Sequence, residues 1–308
     1  MTWRLNRTLG VPMTVWSDWH HGERVNKAEV AGVNEFDRAI SRRRVRKLVE
    51  TTIDLAKNHM TSPKYPGAVV CLGGDLITGG IHEDLRETND GSVQQSVLEV
   101  EELCMWGLEQ MANAFGRVFV PCVVGNHARG TPKVRFKRHV IQSHEWGIYC
   151  RLERHFKRDK RIQFMIPEES DAYFTVCGHR YLLTHGDMLG VKGGDGLIGA
   201  LGPITRGAIK VGRGEAQVRR NFDTLVMGHW HTYIPRSEAS SVIVNGALKG
   251  YDEYARSGLR IPYARPSQAL WFTHPRYGIT AQWPVYLEDQ KSSLDAAQWV
   301  QWQGRLAA

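Results

Sequence analysis

Five short apolar runs in this chain each end in residues with lone pairs to offer, and this recurrence limits the fold more than any other feature. They read MTVWSDWH (13–20), AVVCLGGD (68–75), RVFVPCVVGNH (117–127), YLLTHGD (181–187) and DTLVMGHWH (223–231). Short apolar runs bounded by Gly and polar residues are the pattern of buried strands. A strand that ends in an acid, amide or imidazole delivers it to one edge of a sheet. A single such His is most often structural. Repetition at the same kind of position points to a site assembled from strand ends.

The intervening segments predict helices. From Asn34 to Met60, Phe36, Ile40, Val45, Val49 and Ile53 recur at helical spacing, while Arg42, Arg43, Arg46 and Lys47 take other faces. A second helix is expected over 92–115, and 134–156 reads as mostly helical. Two strands about a Gly-His-Arg turn are expected in 171–187, and SVIVNGAL (241–248) and QALWFT (268–273) add more. Alternating strands and helices imply an α/β fold with parallel strands. The Gly-rich, basic stretch 188–220 reads as a flexible lid or substrate-contacting excursion. Its KGGDG lacks the GxxxxGK[ST] spacing of a phosphate-cradling loop. No linker divides the chain, so residues 1–308 are expected to form a single domain.

Apolar residues make up 42% of the chain and charged residues 23%, which argues against wholesale disorder. The formal charge of +8 is concentrated in SRRRVRKLVE (41–50), TPKVRFKRHV (131–140) and RLERHFKRDKR (151–161). Such runs attract a polyanion or simply solubilise the surface. The helical run spreads its cations around the axis, so they cannot all line one groove. The 133–138 run comes soon after His127 and is the better candidate for a phosphate-backbone track. Cysteines at 71, 104, 122, 150 and 177 lack metal-type spacing and suggest free thiols in a reducing compartment. No apolar stretch reaches the ~20 residues of a membrane span. The expectation is a cytoplasmic protein with no membrane partner.

Asp18, His20, Asp75, Asn126, His185, His229 and His231 together offer enough donors for two divalent cations. Borderline metals take imidazole and carboxylate ligands, and a carboxylate can bridge two cations because it has two oxygens.

The ordered set DxH, GGD, GNH, THGD and GHxH resembles the calcineurin-like metallophosphoesterase superfamily over roughly residues 13–245. SDWHHG also resembles the opening motif of its SbcD and Mre11 nuclease branch. The resemblance implies a four-layer α/β/β/α sandwich with two metals at the strand ends. It assigns Asp18, His20 and His231 to the first metal, Asp75 to the bridge, and Asn126, His185 and His229 to the second. It leaves His127 to contact the scissile phosphate or protonate the leaving oxygen, and a metal-bridging hydroxide to attack phosphorus. The superfamily commonly has an acid where Ala128 stands, so an orienting partner of His127 is expected to be missing. Manganese is the branch expectation, while iron, zinc and magnesium also suit the ligands.

Further candidates follow from position. His21, His82, Arg129, Lys133 and Arg135 are candidates for substrate contact, Asp187 for orienting His185, and Asn245 for shaping the rim. The leading reading is a metal-dependent phosphodiesterase acting on DNA, an exonuclease or other nuclease. The alternatives are a phosphoesterase of small substrates (a cyclic nucleotide or nucleotide diester), a phosphoprotein phosphatase, and a catalytically silent binding protein. The last expects lost ligands, and none of the expected ones is missing. A protein partner and a homo-oligomer are both left open.

Overall fold

Side chains of the first strands alternate between two cores, which is why these strands read as unbroken apolar runs. Met13, Val15, Val69 and Cys71 face one core, whereas Trp16, Val70 and Leu72 face another. A parallel strand covered on both faces has this composition. The computed structural model describes residues 10–60, 64–190, 199–236 and 241–289.

In chain order the elements are β1 (Val11–Trp16), α1 (Arg38–Asn58), β2 (Ala68–Leu72), α2 (Glu83–Thr88), α3 (Val93–Phe115), β3 (Val118–Pro121), α4 (His144–His155), β4 (Ile162–Met165), β5 (Ala172–Val176), β6 (His179–Leu183), α5 (Leu201–Gln217), β7 (Thr224–Met227), β8 (Ile234–Arg236), β9 (Ser241–Val244), β10 (Ser267–His274) and β11 (Gly278–Tyr286). The expected α/β class is the observed one, with two mixed sheets. The first has the order β11-β10-β1-β2-β3-β4 and the second β5-β6-β7-β9-β8. β1 to β4 run parallel, as do β6, β7 and β9, while β5, β8, β10 and β11 are antiparallel to their neighbours.

Three cores hold these layers. α1, α3 and α4 cover one face of the first sheet through Val45, Leu48, Val97, Leu108 and Ile148. The two sheets meet through Met13, Val15 and Cys71 on one side and Leu183, Val226 and Ile243 on the other. Ile204 and Ala208 of α5 pack on Leu182, Leu225 and Met227 of the second sheet. Local signals set the helix ends: Asp37 accepts the Ile40 N–H at 2.7 Å to start α1, and a Ser92–Gln95 capping box starts α3.

Several expectations change. The 188–220 stretch is not an irregular excursion over its described length. Its 201–217 portion is helical, because Ile204 and Ala208 bury one face and outweigh the low helix propensity of its glycines; residues 191–198 lie outside the described residues. The 134–156 segment becomes helical only from Val140, in a short 3-10 turn, and α4 begins after Ser143 caps it. Val134 and Phe136 are exposed and give the preceding stretch no apolar face to bury. Asn245 is not at a rim. It is fully buried and ties β1 to β10, donating to Ser17 Oγ at 2.8 Å and accepting from the Ala269 N–H at 2.7 Å.

The basic run of α1 divides by position. Arg44 is fully buried and donates to the carbonyls of Leu248 and Lys249, to Asn34 Oδ1 and to Glu288. Arg42 is half exposed and pairs with Glu99 at 2.7 Å. The five cysteines are free, with Cys71, Cys104 and Cys122 in the cores. No helix among the described residues is long and apolar enough to cross a membrane.

Candidate metal centre

The parallel strands of both sheets end at the same place. The loop after β1 extends the ladder to the loop after β2, with Asp18 N–H donating to Gly74 O, His20 N–H to Asp75 O and His21 N–H to Leu76 O, each at 3.0 Å. Gly74 lies against Gly125, and Gly125 against Asp75, so closely that a β-carbon on either glycine would collide with the other loop. The loops after β2 and β3 therefore pack together only with glycine at 74 and 125. Glu145 of α4 braces them: its carboxylate accepts the Leu76 N–H at 2.6 Å and the Gly125 N–H at 2.7 Å.

The backbone is strained where the donors sit. Asp18, His20, Asp75, His229 and His231 have φ of +53°, +48°, +52°, +67° and +53°. Non-glycine residues rarely adopt this left-handed region, and such strain clusters at functional sites. Two carboxylates help to hold it. Asp18 Oδ1 accepts the His229 N–H, and Asp75 Oδ1 accepts the His127 N–H, both at 2.8 Å.

The donors converge as two sets. Asp18, His20 and His231 form one, and Asp75, His185 and His229 the other, with ligand atoms within 4.8 Å of one another in each; a ring nitrogen of His127 lies within the same distance of His20 and Asp75, where the two sets adjoin. His20 Nε2 and His231 Nε2 are 3.1 Å apart, and His231 Nε2 is 3.4 Å from Asp18 Oδ1. In the second set His185 Nε2 is 3.0 Å from Asp75 Oδ2 and 3.2 Å from Asn126 Oδ1. His185 Nδ1 faces the Gly73 carbonyl at 2.9 Å and must donate its proton there. Nε2 then presents a lone pair to two acceptor oxygens, unless it takes a second proton or a cation fills the point between them. Asp75 Oδ2 is buried without a well-aligned hydrogen bond among the described residues. It lies 3.0 Å from His185 Nε2 and 4.0 Å from His20 Nε2, between the two sets. These residues fit two borderline divalent cations sharing one carboxylate.

Electrostatics agree with the geometry. Burial would raise the Asp75 carboxyl, but His185 and His127 outweigh it and hold the group ionised far below the usual range. Burial would lower His185, but Asp75 pushes it well above its ordinary value. Burial, reinforced by Lys249, drives His20 well below its ordinary value. Burial and the nearby His185 lower His229 to about 4. A neutral imidazole at either position keeps its ligand lone pair at neutral pH.

Behind the donors stands a buried network. Glu23 Oε2 is 3.4 Å from His20 Nδ1, and the Glu23 carboxylate accepts from Lys249 Nζ at 2.8 and 3.0 Å and from Thr78 Oγ1 at 2.9 Å. Lys249 also pairs with Asp252. Ser17 Oγ bonds Asp18 Oδ2 and receives Asn245. Glu23, Glu145, Thr78 and Lys249 carry no motif. Glu23, three residues past His20, and Thr78, three residues past Asp75, are near a donor in sequence; Glu145 and Lys249 are not.

The structure gathers His127 with the seven donors. Its ring is 4.6 Å from that of His20, and its Nδ1 faces the Thr78 carbonyl at 3.0 Å. Nδ1 therefore carries the proton and Nε2 remains for a ligand. Position 128 offers His127 no carboxylate, since Ala128 is fully buried in the helix-side core; Thr78 O supplies an orienting contact. Burial lowers His127 from its ordinary value, partly countered by Asp75.

Other expected contacts change. His21 is fully buried, with Nδ1 2.8 Å from Ser41 Oγ and Nε2 2.7 Å from Glu99, so it joins α1 to α3 rather than meeting substrate. Arg129 spends its guanidinium on the carbonyls of Asn126, Thr131 and Pro132, which makes it a loop strut rather than a phosphate ligand. Asp187 does not orient His185 Nδ1, a position taken by Gly73 O. It lines an adjoining cavity of about 250 Å³. Arg135 lines the same cavity, and Lys133 is exposed on the neighbouring loop. His82 is exposed, with its ring 5.5 Å from that of His127.

No protein-family profile and no curated protein matches the chain. Solved structures with some likeness include a protein described as a 5'-nucleotidase from Staphylococcus aureus, at 13% identity and a TM-score of 0.37. The match covers 94% of this chain and 56% of that one. The sulfate thiohydrolase SoxB from Thermus thermophilus matches at 12% identity and a TM-score of 0.37, over 92% of this chain and 58% of that one. A dimetal phosphatase from Danio rerio matches at 9% identity and a TM-score of 0.41, over 90% and 99%. The chain thus spans little more than half the length of the first two.

Proposed function

We propose that this chain is a two-cation phosphoester hydrolase of the calcineurin-like metallophosphoesterase type, acting on phosphodiesters of nucleic acid. The observation that carries the proposal is Asp75 Oδ2, buried between His20 Nε2 and His185 Nε2. Asp18, His20 and His231 would hold one cation, Asn126, His185 and His229 the other, and Asp75 both. When bound, two such cations polarise a phosphoryl group and let water act as a nucleophile near neutral pH. The chain's own residues hold the donors in place and keep His20 and His229 unprotonated. His127 anchors its Nδ1 proton on Thr78 O and leaves Nε2 for the reacting group; it would serve as donor to a phosphoryl oxygen or the leaving oxygen only in the imidazolium form, after Nε2 takes up a second proton.

The nucleic-acid part of the reading is supported by the net charge of +8 and the exposed cations of the 131–139 loop beside the centre. The test is a panel with purified, metal-stripped protein. Single-stranded DNA, duplex DNA, RNA, an aryl phosphodiester and an aryl phosphomonoester are offered with manganese, magnesium, zinc or iron. Hydrolysis that requires two equivalents of metal and includes a nucleic acid is expected. Turnover of the monoester alone would overturn the phosphodiester reading, and no metal-dependent hydrolysis of any ester would overturn the enzyme.

A further inference from the structure

The cavity of about 250 Å³ opens on the Asn126 and His185 side of the centre. Pockets that enclose a whole small-molecule ligand run to ~300–1,000 Å³. This one suits a single part of a substrate, of base or sugar size, with the remainder outside. The 131–139 loop forms its outer wall through Val134 and Arg135. Phe136 beside them in the chain is 77% exposed, and Lys133, Arg135, Lys137 and Arg138 flank it in sequence, all exposed. No acidic residue occurs from 131 to 143.

The loop is anchored. Arg129 ties the Asn126 carbonyl to those of Thr131 and Pro132 at 2.8–2.9 Å, Thr131 Oγ1 donates to Lys133 O at 2.8 Å, and His139 Nδ1 meets Phe136 O at 3.3 Å. An exposed aromatic residue flanked in the chain by cations therefore sits on a loop tied to the backbone of a candidate metal ligand.

We infer that this loop is a platform for single-stranded nucleic acid. Phe136 stacks on an unpaired base, the flanking Lys and Arg meet backbone phosphates, and the cavity receives the nucleotide beside the scissile bond. Stacking requires a free base face, which a duplex hides and a single strand offers. A membrane surface calls for a broader apolar face than Val134 and Phe136 provide. Only the placement of the scissile bond rests on the hydrolase reading; binding to the loop does not.

The test separates the two. Anisotropy of a labelled single-stranded oligonucleotide is followed with full-length protein in chelator at stepped salt, alongside manganese-dependent cleavage of the same oligonucleotide and of an aryl phosphodiester. Phe136→Ala should weaken binding about fivefold or more, as for loss of one stacked base. Phe136→Trp should bind as wild type does. Lys133→Ala and Arg135→Ala should each reduce the salt slope by somewhat under 1. The ratio of oligonucleotide to aryl-ester turnover should fall about fivefold in Phe136→Ala. Wild-type binding that ignores salt, a Phe136→Ala variant that binds normally, or preference for duplex or anionic vesicles would overturn the platform. Absence of metal-dependent hydrolysis of both the oligonucleotide and the aryl ester in wild type would overturn the hydrolase reading instead.

Discussion

Glu23 Oε2 lies 3.4 Å from His20 Nδ1, on the opposite side of the ring from the 3.1 Å approach of His231 Nε2. No aligned hydrogen bond joins them among the described residues, but a carboxylate that receives the far N–H of a ligand imidazole fixes the ring and raises its basicity, and its loss typically costs 10- to 100-fold in metal affinity. Glu23→Gln keeps an oxygen for Lys249 and Thr78 but removes the charge. It should lower affinity by about 10- to 100-fold in a chelator-competition titration. Unchanged affinity would remove Glu23 from the centre.

Asp75→Asn tests the shared position. With one oxygen replaced by an amide nitrogen, metal analysis after gel filtration should show reduced occupancy of both sites. Full loading with two equivalents and normal hydrolysis would contradict a bridge at Asp75.

His127→Ala should leave metal content intact and reduce turnover by about 100-fold or more, as for loss of a general acid or a charge-stabilising donor. Turnover like that of wild type would show that His127 Nε2 does not meet the reacting group.

Acid stability should report the Lys249 cluster. Burial would raise Asp252, but Lys249 outweighs it and holds the carboxyl at about 2, below its ordinary 3.8. A depressed folded-state value stabilises the fold above the unfolded value, and this contribution is lost as pH falls towards 2. Urea melts of wild type should lose about 2 kcal/mol between pH 4 and 2 that Asp252→Asn does not lose. Parallel curves would rule the cluster out as an acid-sensitive element.

Two neighbouring arginines should behave differently. Arg44→Met leaves buried carbonyls and Glu288 without their donor and should cost about 3 kcal/mol or more in chemical denaturation. Arg42→Ala removes a half-exposed pair and should cost under about 1 kcal/mol. Equal costs would mean that burial does not separate them.

The legible part of the site was the part carried by strand ends. Asp18, His20, Asp75, Asn126, His127, His185, His229 and His231 each stand just past an apolar run, where local pattern and position coincide. Glu145 and Lys249 were not legible, because each works on backbone or side chains far away in sequence, and a lone Glu or Lys has no local signature of burial. His21 shows the converse: adjacency to a ligand suggests the cleft, whereas its ring turns back to Ser41 and Glu99. In α5 the glycines suggested a mobile excursion, and only the sheet beneath Ile204 and Ala208 makes that stretch a helix.

The amide contacts of Asp18 and Asp75 have a practical consequence for anyone wanting an inert form of the protein to trap a bound substrate. Each acid is at once a prospective ligand and the acceptor that secures the next loop, at His229 N–H or His127 N–H. Replacing either would loosen the pocket while silencing it, and substrate would be lost with activity. His127 caps no other loop through its carboxyl-free side chain beyond the Thr78 contact, so it is the better position at which to stop the chemistry and keep the shape.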